Sequence, residues 1–304
     1  MSLALCCKVV NLLLCFGPAL WCYQGQFSCE ETCRDPSHWV GQFPNCGGLR
    51  QSPINIVTGK AHVNSALTPL TFLGHNEPIN ITVDNIGTSA HFSLPQSVRL
   101  SGGALPGHYR AANFHFHWGH ELSPGSEHTL NGERLPMEMH IVHIKEPYGS
   151  LAEAEHDVGG IALLSFLFEE SADDHVHLDT VIEALGRVQG NEMVNFRLSD
   201  IVPSAAELHS YYRYVGSMTT PGCEQSVAWT VFQKSLPISS RQVPIVSKCR
   251  FWTGKPMVDN FRPTQPLDGR VVYKSNLGNP LLSFSPVCYV LLLAILYAFN
   301  LLQH

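Results

Sequence analysis

The chain has 304 residues, 44% of them apolar and 14% charged, and 19 Lys plus Arg against 25 Asp plus Glu leave a formal charge of −6. That apolar content excludes a disordered polyelectrolyte, and the lack of a basic excess argues against a nucleic-acid partner. Sixteen His are a surplus of the side chain that most often ligates metals and titrates nearest neutrality.

From the amino end, residues 3–20 are apolar with Lys8 as the one charge, and Gly17, Pro18 and Ala19 precede Trp21. This reads as a secretory signal peptide over 1–20. The alternative, an N-terminal membrane anchor, has an apolar core too short to span. Of ten Cys, Cys6, Cys7 and Cys15 fall in this leader and Cys288 near the other end, leaving Cys22, Cys29, Cys33, Cys46, Cys223 and Cys249. An even set in an exported chain predicts disulfides. None of the six forms a C-x2-C pair, so thiolate zinc is disfavoured. Asn80-Ile81-Thr82 is a sequon, which predicts a glycan on Asn80. Strand signals dominate the middle of the chain, at 79–83, 90–94, 111–118, 137–144, 161–168, 211–214 and 227–233. Helical spacing is convincing over 177–187, where Leu178, Val181, Ile182 and Leu185 share a face. A shorter helix is expected after Ser239 as its cap. Residues 287–302 form a second apolar run broken by Asn300 and preceded by Ser275, Asn276, Gly278 and a Pro-containing spacer. Small site, spacer and apolar tail read as a GPI-anchor signal over 276–304, with the lipid joined to Ser275. A single membrane-spanning helix is the alternative, against which stand the minimal length and the lack of Lys or Arg anchors. The mature chain, 21–275, has the length of one large domain and no composition shift to divide it.

The sharpest chemistry lies in Phe114-His115-Phe116-His117-Trp118. In a strand, residues two apart share a face, so both imidazoles point one way and the aromatics the other. Met137-Glu138-Met139-His140 is a second such segment, with Glu138 and His140 on one face. If the two strands are neighbours, His115, His117 and His140 form a three-imidazole set. Three neutral ligands hold zinc without cancelling its charge, and a fourth position is left for water. His175-x-His177, beside Asp173, Asp174 and Asp179, reads instead as a solvated helix start.

Six segments occur in order: 50–56 (RQSPINI), 114–119 (FHFHWG), 125–129 (GSEHT), 138–143 (EMHIVH), 217–221 (SMTTP) and 261–267 (FRPTQPL). Together they resemble the α-class carbonic anhydrases over about residues 21–273. The two processed ends and the extra Cys resemble that family's extracellular, GPI-anchored members. The resemblance implies an α+β, β-dominated single domain around a central twisted, mainly antiparallel ten-stranded sheet with short peripheral helices. It implies zinc-dependent, reversible hydration of CO2 to bicarbonate and a proton by zinc-bound hydroxide. The expected site is the outer face of the plasma membrane, with sulfonamides as inhibitors.

Residue by residue, His115, His117 and His140 match the zinc ligands, and Asn113 and Glu138 match their outer partners. The family usually has Gln where Asn113 stands; Asn is one methylene shorter, so its bond to His115 is expected to be longer or water-bridged. Thr219 matches the residue that accepts the hydroxide proton and donates its own to Glu127. A hydroxyl has one donor, so this commits Thr219 to accept at the reacting side. Val142, Leu163, Met218, Val227 and Trp229 match the apolar wall that holds CO2, and Thr220 lines the cavity. Tyr23 matches a residue of the cavity water network, and His128 a buried core imidazole. Thr88 stands where fast members carry a shuttle His, and Ile86 where they carry a polar residue. Thr cannot carry a proton at neutral pH, so proton release is expected to slow, with His91 as the candidate replacement. Cys22–Cys33 and Cys46–Cys223 match family bridges, and the remaining Cys29 and Cys249 are expected to pair. A silent binding ectodomain is the rival from another class, yet the three His, Glu127 and Thr219 are all present. A different zinc hydrolase is a second rival, and no H-E-x-x-H motif occurs to support it.

Overall fold

A computed structural model of the chain describes residues 21–26, 33–120, 123–187, 192–204, 207–246, 248–252 and 254–276. The expected leader and the tail after Asn276 lie outside the described residues. Among the described residues no helix is long and apolar enough to cross a membrane.

The spine is a run of ten strands: β1 (His62–Asn64), β2 (Ile79–Asn85), β3 (Ala90–Ser93), β4 (Tyr109–Trp118), β5 (Met137–Lys145), β6 (Ile161–Ser171), β7 (Glu192–Phe196), β8 (Tyr211–Gly216), β9 (Val227–Phe232) and β10 (Tyr273–Ser275). They lie side by side in the order β7-β2-β3-β4-β5-β6-β9-β8-β10-β1. Only β6/β9 and β10/β1 pair in parallel, so the mainly antiparallel ten-stranded sheet is as expected. Leu70–Leu73, Arg99–Gly102 and Leu236–Ser239 add short strands off this path.

Alternation along the strands sorts side chains into two layers. Phe92, Phe114, Phe116, Trp118, Met139, Ile141, Leu164 and Phe166 face the larger core, which also holds Leu178, Val181, Ile182 and Leu185. Those four lie on the helix α1, Leu178–Arg187, and form the apolar stripe read from the sequence. The other face carries Val142, Leu163, Tyr214, Val227 and Trp229 together with Ile54 and Ile56. The sequence reading misses β1, β7 and β10. Each has three to five residues, too few to show a period, and such strands are made by the neighbour they pair with. The helix after Ser239 begins only at Val243. Ser239 instead closes the preceding turn, its hydroxyl accepting from the Gln242 N–H at 3.3 Å.

Cys22–Cys33 and Cys46–Cys223 are disulfides. The expected Cys29–Cys249 bridge requires correction. Cys249 is a free, buried thiol whose Sγ donates to the Leu185 carbonyl at 3.0 Å, so it is turned toward α1; Cys29 lies outside the described residues. Asn80 is exposed, and its Oδ1 accepts from Asn195 Nδ2 at 2.7 Å. Ser275 ends β10 with its hydroxyl engaged twice, donating to the His209 carbonyl at 2.8 Å and accepting from the Tyr211 N–H at 3.0 Å.

Candidate active site

Strand register builds the site. His91 on β3, His115 on β4, His140 on β5 and Ser165 on β6 are successive cross-strand partners. Two residues along, Ser93, Asn113, Val142, Leu163 and Trp229 form the parallel row. His117 pairs with Glu138 in the opposite direction. A period of two puts all three rows on one face, so metal-ligating and apolar side chains meet without any loop.

Each of the three imidazoles has one nitrogen committed outward. His115 Nδ1 bonds Asn113 Oδ1 at 3.1 Å, His117 Nδ1 bonds the Asn260 carbonyl at 2.8 Å, and His140 Nε2 bonds Glu138 Oε1 at 2.6 Å. These acceptors take N–H donors, so the unprotonated nitrogens are His115 Nε2, His117 Nε2 and His140 Nδ1. The shorter Asn113 therefore still reaches His115 directly. The three imidazoles can offer ligand atoms that all lie within 4.8 Å of one another. His117 Nε2 and His140 Nδ1 are 3.1 Å apart. Neither has a proton to give the other, so the pair is no hydrogen bond. It is close to the roughly 3.3 Å separation of two nitrogens on one tetrahedral zinc at 2.0–2.1 Å. The donor set thus fits a zinc ion. Burial also holds the three rings neutral: His115 falls well below the usual His range, His117 to about 4, and His140 is lowered as well. A neutral ligand releases no proton on binding metal.

Glu138 is fully buried and takes five donors. Oε1 accepts from His140, from His128 Nδ1 at 2.7 Å and from Ser165 Oγ at 2.6 Å; Oε2 accepts from the Glu127 and His128 N–H groups at 2.8 Å each. Burial alone would raise its pKa, but His128 and His140 outweigh it and hold the carboxyl well below the usual range. Behind His128, its Nε2 lies 2.7 Å from the Tyr214 hydroxyl, which lies 2.9 Å from Ser52 Oγ.

Glu127 is also completely buried. Its Oε1 accepts from the Arg262 N–H at 2.7 Å, and Oε2 sits 3.5 Å from His117 Nε2. Burial pushes this carboxyl up to about 7, against the pull of His140, the Arg262 N–H and the Thr219 hydroxyl. Thr219 thus stands beside Glu127 as expected, although Oε2 has no regular hydrogen-bond partner, being turned toward the ligand nitrogens. Arg262 anchors this region: its guanidinium donates to Gln51 Oε1 and the Ser52 carbonyl at 2.8 Å each and to the Cys46 carbonyl at 3.1 Å. The Cys46–Cys223 bridge therefore ties the Thr219 loop to the same hub.

Val142, Leu163, Val227 and Trp229 form one apolar cluster with Met218 packed on it, and the Trp229 ring lies 4.8 Å from that of His140. Thr220 is half-buried on the same loop as Thr219. Tyr23 is buried, with its hydroxyl pKa raised by burial and by Glu127. His91 stacks on His115, centroids 4.9 Å apart and planes at 21°; burial lowers its pKa to about 4. Thr88 is half-buried in the turn between β2 and β3, and Ile86 beside it is 54% exposed. Sequence reasoning misses Asn260, Ser165, Tyr214 and Ser52. Asn260 acts on His117 through its main-chain carbonyl, which carries no residue-type signal.

Comparison with known proteins agrees with this geometry. Residues 34–276 match the model of the eukaryotic-type carbonic anhydrases. The chain is 36% identical over 271 residues to carbonic anhydrase 4 of Rattus norvegicus, covering 86% of this chain and 87% of the relative. It is 39% identical over 269 residues to carbonic anhydrase 4 of Oryctolagus cuniculus, covering 86% of each. Against carbonic anhydrase 15 of Mus musculus it is 35% identical over 273 residues, covering 84% of this chain and 83% of the relative. With most of its length matched and a three-imidazole centre in place, the chain belongs to the eukaryotic-type carbonic anhydrase family.

Proposed function

We propose that this carbonate dehydratase works with zinc held by His115 Nε2, His117 Nε2 and His140 Nδ1, on the outer face of the plasma membrane. One observation carries the zinc reading: three unprotonated ring nitrogens meet while every opposite ring nitrogen is bound outward. Zinc supplies a lowered pKa for water, so that a nucleophile exists at neutral pH. The chain supplies the rest. Val142, Leu163, Met218, Val227 and Trp229 offer CO2, which has no net charge, an apolar seat beside His140. Thr219, committed to donate to Glu127, presents acceptor lone pairs to the reacting oxygen and so orients it. Thr220 contacts bicarbonate at the cavity side. Asn113 and Glu138 fix the tautomers of His115 and His140.

Proton release is the slow step in this reading, because Thr88 has no titratable group and His91, packed against His115, is the candidate carrier. The leader, the even cysteine set and the apolar tail support export and a GPI anchor, with residues 21–275 as the mature catalytic domain, a glycan on Asn80 and the lipid joined at Ser275. The test is stopped-flow CO2 hydration on the processed protein with zinc measured on the same sample. We expect one zinc per chain, activity abolished by a sulfonamide, and kcat that rises with imidazole buffer while kcat/KM stays flat. One zinc without hydration would overturn the reading. Loss of membrane attachment on treatment of cells with a phosphatidylinositol-specific phospholipase tests the anchor; retention refutes it.

A further inference from the structure

We propose that Arg213 holds a planar, two-oxygen monoanion, bicarbonate, at a second site on the face of the sheet turned away from the three-imidazole centre. Side chains alternate along β8. Tyr212 and Tyr214 face the cluster that contains Trp229, whereas Tyr211 faces the larger core and Arg213 shares its side. Cross-strand pairing builds a polar row on that side: Thr230 on β9, Arg213 on β8, Tyr273 on β10 and His62 on β1. The row runs from the interior to solvent. Thr230 is buried, Arg213 is 8% exposed, Tyr273 is 38% exposed, and His62 on the outermost strand is exposed. An anion therefore enters from the Tyr273 and His62 end.

A buried guanidinium ordinarily sits against a carboxylate. Arg213 has none among the described residues. Its Nε donates to Thr230 Oγ1 at 3.2 Å, and its guanidinium carbon lies 5.5 Å from the centre of the Tyr211 ring. Nη2 is enclosed without a hydrogen-bond partner. Burial lowers the pKa of Arg213, and the groups that pull it back up are the Tyr211 and Tyr109 hydroxyls. Both hydroxyls are themselves raised by burial, so they carry no charge at neutral pH. Asp157, which acts on Tyr109, is taken by Lys145 Nζ at 2.7 Å. The charge of Arg213 is thus left uncompensated. With Nε engaged, the free part of the fork is its Nη1–Nη2 end. Two N–H groups side by side match two oxygens of one planar anion. A single positive charge calls for a single negative one, and bicarbonate is the anion that a carbonate dehydratase makes. β8 leads on into Ser217, Met218 and Thr219, so this anion sits on the strand that delivers the Thr219 loop.

The experiment is urea unfolding of the processed, zinc-loaded protein, saturated with a sulfonamide, in sodium bicarbonate and in sodium chloride of equal ionic strength and pH. The inhibitor keeps bicarbonate off the metal. We expect the wild-type midpoint to be higher in bicarbonate by about 0.3–0.6 M urea, the scale for a millimolar ligand in tenfold excess. Arg213→Met should lose this rise. Arg213→Lys keeps the charge without the fork and should lose most of it, which keeps the proposal open to test if Arg213→Met fails to fold. Equal wild-type midpoints in the two salts overturn the proposal. So does a rise that persists in Arg213→Met or Arg213→Lys, because bicarbonate would then be held elsewhere or without the fork.

Discussion

His143 gives the most direct electrostatic prediction, because it lies outside the ligand set and is completely buried. Its Nδ1 bonds the Ile141 carbonyl at 3.2 Å, and its Nε2 has no partner. His75, 6.4 Å away with its plane at 17°, is lowered as well. Burial, reinforced by His75, brings the His143 pKa down from 6.5 to about 3. A depressed folded pKa means that the unfolded chain takes the proton first. The stabilisation is therefore complete above pH 6.5 and drains away as pH falls toward 3. Between pH 8 and pH 5 the loss is about 2 kcal/mol. That value barely changes if the folded pKa is one unit higher, because at pH 5 the unfolded state is already protonated. In a domain of this size it corresponds to roughly 4–8 °C in Tm. The assay is urea unfolding of wild type and His143→Gln from pH 8 to pH 5. The variant is less stable throughout, but its loss on acidification should be smaller by about 2 kcal/mol. Metal ligands and surface acids titrate alike in both proteins, so the difference isolates His143. Parallel curves would refute the reasoning.

Three further outcomes are expected. Gly216→Ala forces a methyl against Ser52, Tyr214 and Trp229 and should cost about 1–3 kcal/mol by overpacking; equal denaturation midpoints would count against the packing described. Removing the Cys46–Cys223 bridge as a double Ser variant should cost about 2–4 kcal/mol and lower kcat/KM for CO2, since the bridge restrains the loop carrying Thr219 and Thr220; full activity with reduced stability would show that the Arg262 hub suffices alone. Thr219→Val keeps shape but loses both hydrogen-bonding roles, and kcat/KM should fall by about 100-fold, the scale seen when one oriented polar group is removed from a reacting centre, with zinc content unchanged.

Much of this site is legible in the amino-acid order. Alternation in a strand is a local rule, so His115 and His117 had to share a face, and so did Glu138 and His140. The even set of cysteines between the two expected processed ends predicted bridges, and two form among the described residues. What alternation cannot show is which strands become neighbours. Only the register of β4 against β5 places His140 opposite His115, and only β5 against β6 and β6 against β9 set Val142, Leu163 and Trp229 in one row. The partner of His117 is a main-chain carbonyl 143 residues away, and Ser52 meets Tyr214 across 162. Cys249 illustrates the same limit from the other side: it was paired with Cys29, which lies outside the described residues, only because both remained after the two family bridges, but its thiol points to the Leu185 carbonyl. Local periodicity determines which way a side chain faces; long-range pairing of strands and loops determines what it meets there.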